Sequence, residues 1–209
     1  MLTVHHLNNS RSQRVLWLLE ELGIDYKIES YQRDPVTNLA PLALEAIHPL
    51  GKSPVLTDGA QTVIESGAII DYILRHYGNG RLLPACDTPE YEQYLQWLHY
   101  AEGSAMLPLM LKMYTSKLPD GGAPLQPRIA DELQRHLGFA EQALHNVDWL
   151  VGNQLTGADI QMSFVAEIAP LLGAQLSLPN ISAYRARFQQ RPAYLAALKK
   201  GGLYAYGPA

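Results

Sequence analysis

The stretch HPLGKSPVLTDGAQTVIESGAIIDYI, residues 48 to 73, says most about the fold. Val55 to Thr57 and Thr62 to Ile64 flank Asp58-Gly59, a pair that favours a tight hairpin turn. From Ser66 to Tyr77 the residues Ile69, Ile70, Ile73, Leu74 and Tyr77 recur at helical spacing, and Ser66 is a natural N-cap. The stretch therefore predicts a hairpin followed by an amphipathic helix. Ser53-Pro54 stands where the chain enters the first of these strands. Only X-Pro bonds adopt cis at low cost, but composition alone favours an ordinary trans proline at a strand start.

Working outward, Leu2 to Leu7 reads as a strand and Ser12 to Leu22 as a helix, with Val15, Leu16, Leu18, Leu19 and Leu22 at helical spacing and Gly23 as its stop. Tyr26 to Tyr31 alternates apolar and polar residues, as a second strand would. Asp34 to Asn38 is a loop, and Leu42 to Ile47 a short helix. The order strand, helix, strand, helix, hairpin, helix implies a small mixed sheet whose first two strands are parallel with a right-handed crossover.

Gly78 to Pro89 holds two Gly and two Pro and reads as a linker. Beyond it no strand is evident. Glu90 to Leu118 is a long helical pattern that Pro108 should kink or divide. Pro119 to Pro127 is a break, and Arg128 to Val147, Asp159 to Leu172, Ile181 to Gln190 and Tyr194 to Lys199 are further helices. The expected organisation is an α/β domain over residues 1–78, a linker over 79–89 and an all-α domain over 90–209.

The chain has 209 residues and a formal charge of −4, which argues against a nucleic-acid partner. Its one cysteine, Cys86, can build neither a disulfide framework nor a four-cysteine zinc site, so the cytoplasm is the default compartment. No run reaches the roughly 18 apolar residues of a membrane span, and the start MLTVHHL lacks the features of a signal peptide. His5 and His6 are adjacent on a strand and point to opposite faces, and no metal constellation is expected among the seven histidines.

Three segments together resemble the cytosolic glutathione transferases, nearest their serine-type bacterial and fungal branch: HHLNNSRSQRVLWLLEELGIDY (5 to 26), the stretch quoted first, and WLVGNQLTGADIQMS (149 to 163). The resemblance covers nearly the whole chain. It implies a thioredoxin-like first domain that binds glutathione, an all-helical second domain and no metal. It also implies that Pro54 is cis, so that the Val55 backbone can pair with the cysteinyl unit of the tripeptide as an added strand would. The resemblance thus makes Ser53, Pro54 and Val55 expected glutathione-binding residues. Ser66 and the free N–H groups of its helix would take the γ-glutamyl carboxylate, and Glu65 the ammonium. Lys52 would meet the glycine carboxylate. Elsewhere a Glu-Ser pair is usually a solvated acid beside a plain cap, and a lone lysine is simply solvated.

The thiolate is the nucleophile in such an enzyme. Ser10, just before the first helix, is the leading donor to it, and Arg11 would add positive potential. Counting back from Arg14-Val15, the serine-type position also fits Asn9, whose amide is the second candidate. Ser10-Arg11-Ser12-Gln13 matches a capping box as well. No tyrosine or cysteine precedes the first helix, which disfavours the tyrosine-type and thiol-exchange members. Thr156-Gly157-Ala158-Asp159 has a capping-box layout and is read as structural.

The expected second-substrate pocket combines His6 and Leu7 with Leu107, Met110, Leu111 and Tyr114, although an apolar stripe at helical spacing is more often core. The expected reaction joins glutathione sulfur to a hydrophobic electrophile. A glutathione-binding carrier or interaction module, and glutathione-dependent peroxide reduction or dehalogenation, are the alternatives. The resemblance further implies a homodimer built on the helices after Ser66 and Glu90.

Overall fold

The computed structural model describes residues 1–173 and 175–208. Contacts divide the chain into two compact units: Met1–Leu83 together with the chain from Gln189 onward, and Pro84–Phe188. The first unit has the mixed sheet and helices of a thioredoxin-like domain, and the second is helical.

In the first unit, β1 (Leu2–Leu7), β2 (Tyr26–Tyr31), β3 (Val55–Asp58) and β4 (Gln61–Ile64) form one sheet in the order β2-β1-β3-β4. β1 and β2 are parallel, as the intervening helix requires, and the other pairs are antiparallel. Val4 faces Leu56 and His5 faces Val55 across the β1–β3 ladder. α1 (Ser12–Leu22) lies between β1 and β2, and α2 (Ser66–Tyr77) follows β4. Leu42 to Ile47 forms only a single 3₁₀ turn, Leu42–Leu44, rather than the short helix expected, and Leu44 alone of the three is buried.

Every side chain from Ser12 to Leu19 is buried. An amphipathic stripe would cover one face only. The other face is covered by α8 (Pro192–Gly201), which packs along α1. Trp17 meets Tyr194 edge-on at 5.6 Å, and Arg191 pairs with Glu21. The last helix of the chain thus completes the core of the first unit.

The second unit contains α3 (Pro89–Tyr100), α4 (Met106–Thr115), α5 (Gln126–Ala143), α6 (Gly157–Leu172) and most of α7 (Pro179–Gln189). Helices α5, α7 and α8 begin about two residues earlier than the pattern suggested. Each start carries a proline, Pro127, Pro179 or Pro192, in the first turn, where its missing N–H has no helical partner to lose. α5 ends at Ala143, before Asn146 turns to φ +59°. The break in the long helical pattern falls at Ala101–Ala105, as a π-helical turn, and Pro108 lies inside α4. A proline displaces the carbonyl four residues back, here Ser104, which lies inside the widened turn.

Thr156 caps α6 in a complete capping box with Asp159. The fully buried Asp159 carboxylate accepts from Leu150 N–H, Thr156 N–H and the Thr156 and Tyr184 hydroxyls. This ties the loop before α6 to α6 and α7 and is structural.

Candidate active site

The candidate residues of the first unit gather where β1, β3 and α2 meet the start of α1. The Ser53–Pro54 bond is cis. The Ser53 hydroxyl donates to the His5 carbonyl at 2.8 Å and accepts from Leu7 N–H at 3.2 Å, so it fastens the loop before β3 to the end of β1. Pro54 and Val55 are buried and Lys52 is exposed. Gly51 sits at φ +57°, and a Cβ there would stand 2.8 Å from Glu45 Cγ, so this turn needs glycine.

Glu65 and Ser66 form the junction of β4 and α2. Glu65 is at φ +66°, ψ +119°, a strained conformation for a residue with a Cβ, and its side chain is exposed. Ser66 is 4% exposed, and its hydroxyl accepts a 3.1 Å hydrogen bond from Arg14 Nη1. Arg14 is 1% exposed. A buried guanidinium thus stands behind a hydroxyl at a helix N-terminus, where backbone N–H groups already favour an anion. Sequence reasoning missed Arg14, which served there only as a landmark for counting back to Asn9.

The loop between β1 and α1 carries the candidate catalytic groups. Asn9 adopts φ +51°, and its Oδ1 accepts from Ala205 N–H at 2.8 Å. Arg33 donates to the Asn8 and Asn9 carbonyls at 3.1 and 3.3 Å, and its own N–H to Asn8 Oδ1 at 2.8 Å, clamping the loop. Burial lowers the Arg33 pKa, and the charge of neighbouring Arg11 lowers it further. Two guanidinium groups therefore stand beside this loop.

Ser10 is 5% exposed. The expected capping box is not formed: the N-cap of α1 is Arg11, whose side chain makes no capping bond, and Ser10 Oγ instead accepts from Ser12 N–H at 3.2 Å. Gln13 N–H goes to the Ser10 carbonyl. Ser10 Oγ is 2.8 Å from Ser12 Oγ, which is 2.7 Å from His6 Nδ1 and 3.2 Å from the Leu7 carbonyl. Burial lowers the His6 pKa, opposed by the nearby Gly201 backbone. Ser12 is the other residue that sequence reasoning overlooked, because helical spacing does not reveal where a hydroxyl turns.

Of the residues expected to line a second-substrate pocket, His6 and Leu7 are each 3% exposed, and the His6 ring is engaged as described. Leu107, Leu111 and Tyr114 on α4 are exposed, and Met110 is half-buried. The α4 stripe is therefore a surface feature rather than core. No group of three or more His, Cys, Asp or Glu is placed to hold a metal among the described residues, and none of their helices is long and apolar enough to cross a membrane.

Residues 1–75 match the family model for the glutathione S-transferase N-terminal domain, and residues 102–192 that for its C-terminal domain. The chain is 34% identical to glutathione S-transferase 1 of Saccharomyces cerevisiae, with 96% of this chain and 95% of that protein covered. A crystal structure of a glutathione S-transferase from Actinobacillus pleuropneumoniae superposes with a TM-score of 0.88 at 35% identity, covering 96% of this chain and 93% of that one. A sphingomonad glutathione S-transferase complexed with glutathione matches at a TM-score of 0.76 and 25% identity, over 96% of this chain and 99% of its own.

Proposed function

The chain belongs to the glutathione S-transferase family and is a glutathione transferase, and we propose that it joins the glutathione thiolate to a small hydrophobic electrophile as a serine-type member of that family. Glutathione is its co-substrate. The observation that carries the site assignment is the Arg14–Ser66 pair at the start of α2. It suits the γ-glutamyl carboxylate, with hydroxyl, helix N–H groups and buried cation acting on one anion. Exposed Glu65 then takes the ammonium, the Val55 backbone pairs with the cysteinyl unit, and Lys52 meets the glycine carboxylate.

In this reading the sulfur lies at the loop between β1 and α1. A free thiol has a pKa near ~8.5, and lowering it by two units needs roughly 2.7 kcal/mol of preference for the thiolate. Ser10, the helix start and the charges of Arg11 and Arg33 supply stabilisation of that kind. Asn9 is the second candidate: its Oδ1 accepts from Ala205 N–H, and its amide N–H₂ is the group that would donate. Leu107, Met110, Leu111 and Tyr114 give the electrophile an apolar surface on α4.

A chloro-nitrobenzene conjugation assay tests this reading. Activity lost in Ser10→Ala and kept in Asn9→Ala supports it, and the opposite pattern moves the role to Asn9. A homodimer in the cytoplasm completes the proposal. Phe139, 53% exposed and stacked on Trp97 at 5.3 Å, gives α3 and α5 an apolar face suited to self-association. Size-exclusion chromatography yielding only a 23.2 kDa species would exclude the dimer.

A further inference from the structure

Beyond α8 the chain turns back onto the loop that carries Asn9 and Ser10. Gly202, at φ +85°, ends the helix. Ala205 N–H then donates to Asn9 Oδ1 at 2.8 Å, and the Tyr206 carbonyl accepts from Nε2 of the buried Gln189 at 2.9 Å. Gly207 N–H closes a turn on the Tyr204 carbonyl at 3.3 Å. The turn rests on α8: a Cβ on Gly207 would stand 3.6 Å from Leu198 Cδ1. Two tyrosine rings project from it. Those of Tyr204 and Tyr206 meet edge-on at 5.3 Å and 90°, and both residues are half-buried. Arg33, which donates to the Asn9 carbonyl, is within electrostatic reach of Tyr206. All of these residues belong to the first compact unit.

We propose that Tyr204 and Tyr206 form a wall of the second-substrate site, against which the ring of an aromatic electrophile stacks, and that this wall sets a preference for aromatic over small alkyl electrophiles. The proposal rests on the reading that puts the sulfur at the loop between β1 and α1. It names specificity-determining residues outside both the α4 stripe and the glutathione contacts.

Reach is the first argument. Asn9 and Ser10 are neighbours, so their Cα atoms are about 3.8 Å apart. Adding the length of the Asn9 side chain and its 2.8 Å bond, Ala205 N lies within about 10 Å of Ser10 Cα. The carbon under attack must come to roughly 3–3.5 Å from the sulfur, and a substituted benzene ring extends several ångström beyond that carbon. A ring held for attack at this loop therefore spans the distance to residues 204–206.

Chemistry and order supply the rest. An aromatic ring that a thiolate can attack is electron-poor, and the face of a tyrosine ring carries the negative lobe of its quadrupole, so the two surfaces are complementary. An alkyl electrophile has no such face to offer. Tyrosine also presents a large rigid area with only two side-chain torsions to fix. Here the backbone beneath the rings is already held at Asn9, Gln189 and Leu198, so little ordering is left for binding to impose. The three hydrogen bonds that hold the turn fall on its backbone atoms, and changing the rings leaves them in place.

The test uses the full chain, saturating glutathione and two electrophiles, a chloro-nitrobenzene and a small alkyl iodide. Tyr204→Ala and Tyr206→Ala should each raise KM for the chloro-nitrobenzene by about three- to tenfold, the scale of one aromatic contact. Turnover of the alkyl iodide and the calorimetric Kd for glutathione should not change. Tyr206→Phe keeps the ring and should keep the preference. Tyr206→Leu keeps apolar bulk without the ring and should lose it, which serves if an alanine variant unfolds. A wild-type ratio of the two activities in the double variant Tyr204→Ala/Tyr206→Ala overturns the proposal. So does an equal fall with both electrophiles, the mark of a merely structural turn. Conjugation untouched by Ser10→Ala and by Asn9→Ala takes the sulfur away from this loop, and the wall falls with that reading. A fixed ratio in the tyrosine variants while either of those two is impaired removes the wall alone.

Discussion

Arg14 and Ser66 stand 52 residues apart and share a buried 3.1 Å hydrogen bond that joins the first turn of α1 to the first residue of α2. The arginine gives the start of α2 a full positive charge in addition to the partial charge of the helix end. Ser66→Ala should weaken glutathione binding by about 1–3 kcal/mol, the usual worth of a charge-assisted hydrogen bond. Arg14→Gln should weaken it by at least as much and also lower thermal stability, since its side chain fills core space. Calorimetric titration with glutathione checks both. An unchanged Kd in Ser66→Ala would remove the carboxylate from this end of the site.

Removing the Ser10 hydroxyl should lower kcat for conjugation by about 10²-fold, the range of a single donor aimed at developing or resident negative charge. KM for glutathione should change little, because the proposed site holds the tripeptide mainly at Lys52, Val55 and Ser66. Steady-state kinetics separates the two parameters. A rise in KM with kcat unchanged would make Ser10 a binding residue.

Burial pushes Asp159 up to about 6, above the roughly 3.9 of an unfolded aspartate. The folded chain therefore binds this proton more tightly than the unfolded one. The stabilisation is complete below about pH 4 and is lost as pH rises through about 6. Two units correspond to about 3 kcal/mol. Urea unfolding between pH 4.5 and 8 should show this fall in the wild type and not in Asp159→Asn. That variant should be less stable throughout, because one amide oxygen must replace two carboxylate oxygens serving four donors. Equal pH slopes in the two proteins would clear Asp159 of the effect.

Glu21 should anchor α8. Its carboxylate receives Arg191 Nε and Nη2, the latter at 3.0 Å, and also Trp17 Nε1 at 2.9 Å. Glu21→Gln should lower unfolding free energy by about 1–2 kcal/mol, allowing for the partial exposure of Arg191. Proteolysis should then cut first near Arg191. Unaltered stability would shift the anchoring of α8 to other contacts, such as that of Trp17 with Tyr194.

Local signals made much of this molecule readable in its sequence. The Asp58-Gly59 turn, the spacing of Ile69, Ile70 and Ile73, and the stop at Gly23 each act within a few residues, and the corresponding elements stand where they were expected. Prolines misled at helix starts, because one residue type both breaks an interior and suits a first turn. What stayed hidden depends on contacts across the chain. Nothing near Arg14 reveals that Ser66 will meet it, and nothing near His6 reveals that α8 will bring Gly201 beside its ring. The wholly buried α1 is the same lesson: its covering partner lies about 180 residues away.

The bond from Ala205 to Asn9 gives the segment after α8 a hold on the turn that precedes α1. Whatever is done to that segment is felt there. Trimming the chain back to Gly202 frees the Asn9 carboxamide, and a bulky fusion partner attached beyond Tyr206 pulls on it. Turnover numbers from preparations that differ after Tyr206 should therefore be compared only once that segment has been made the same.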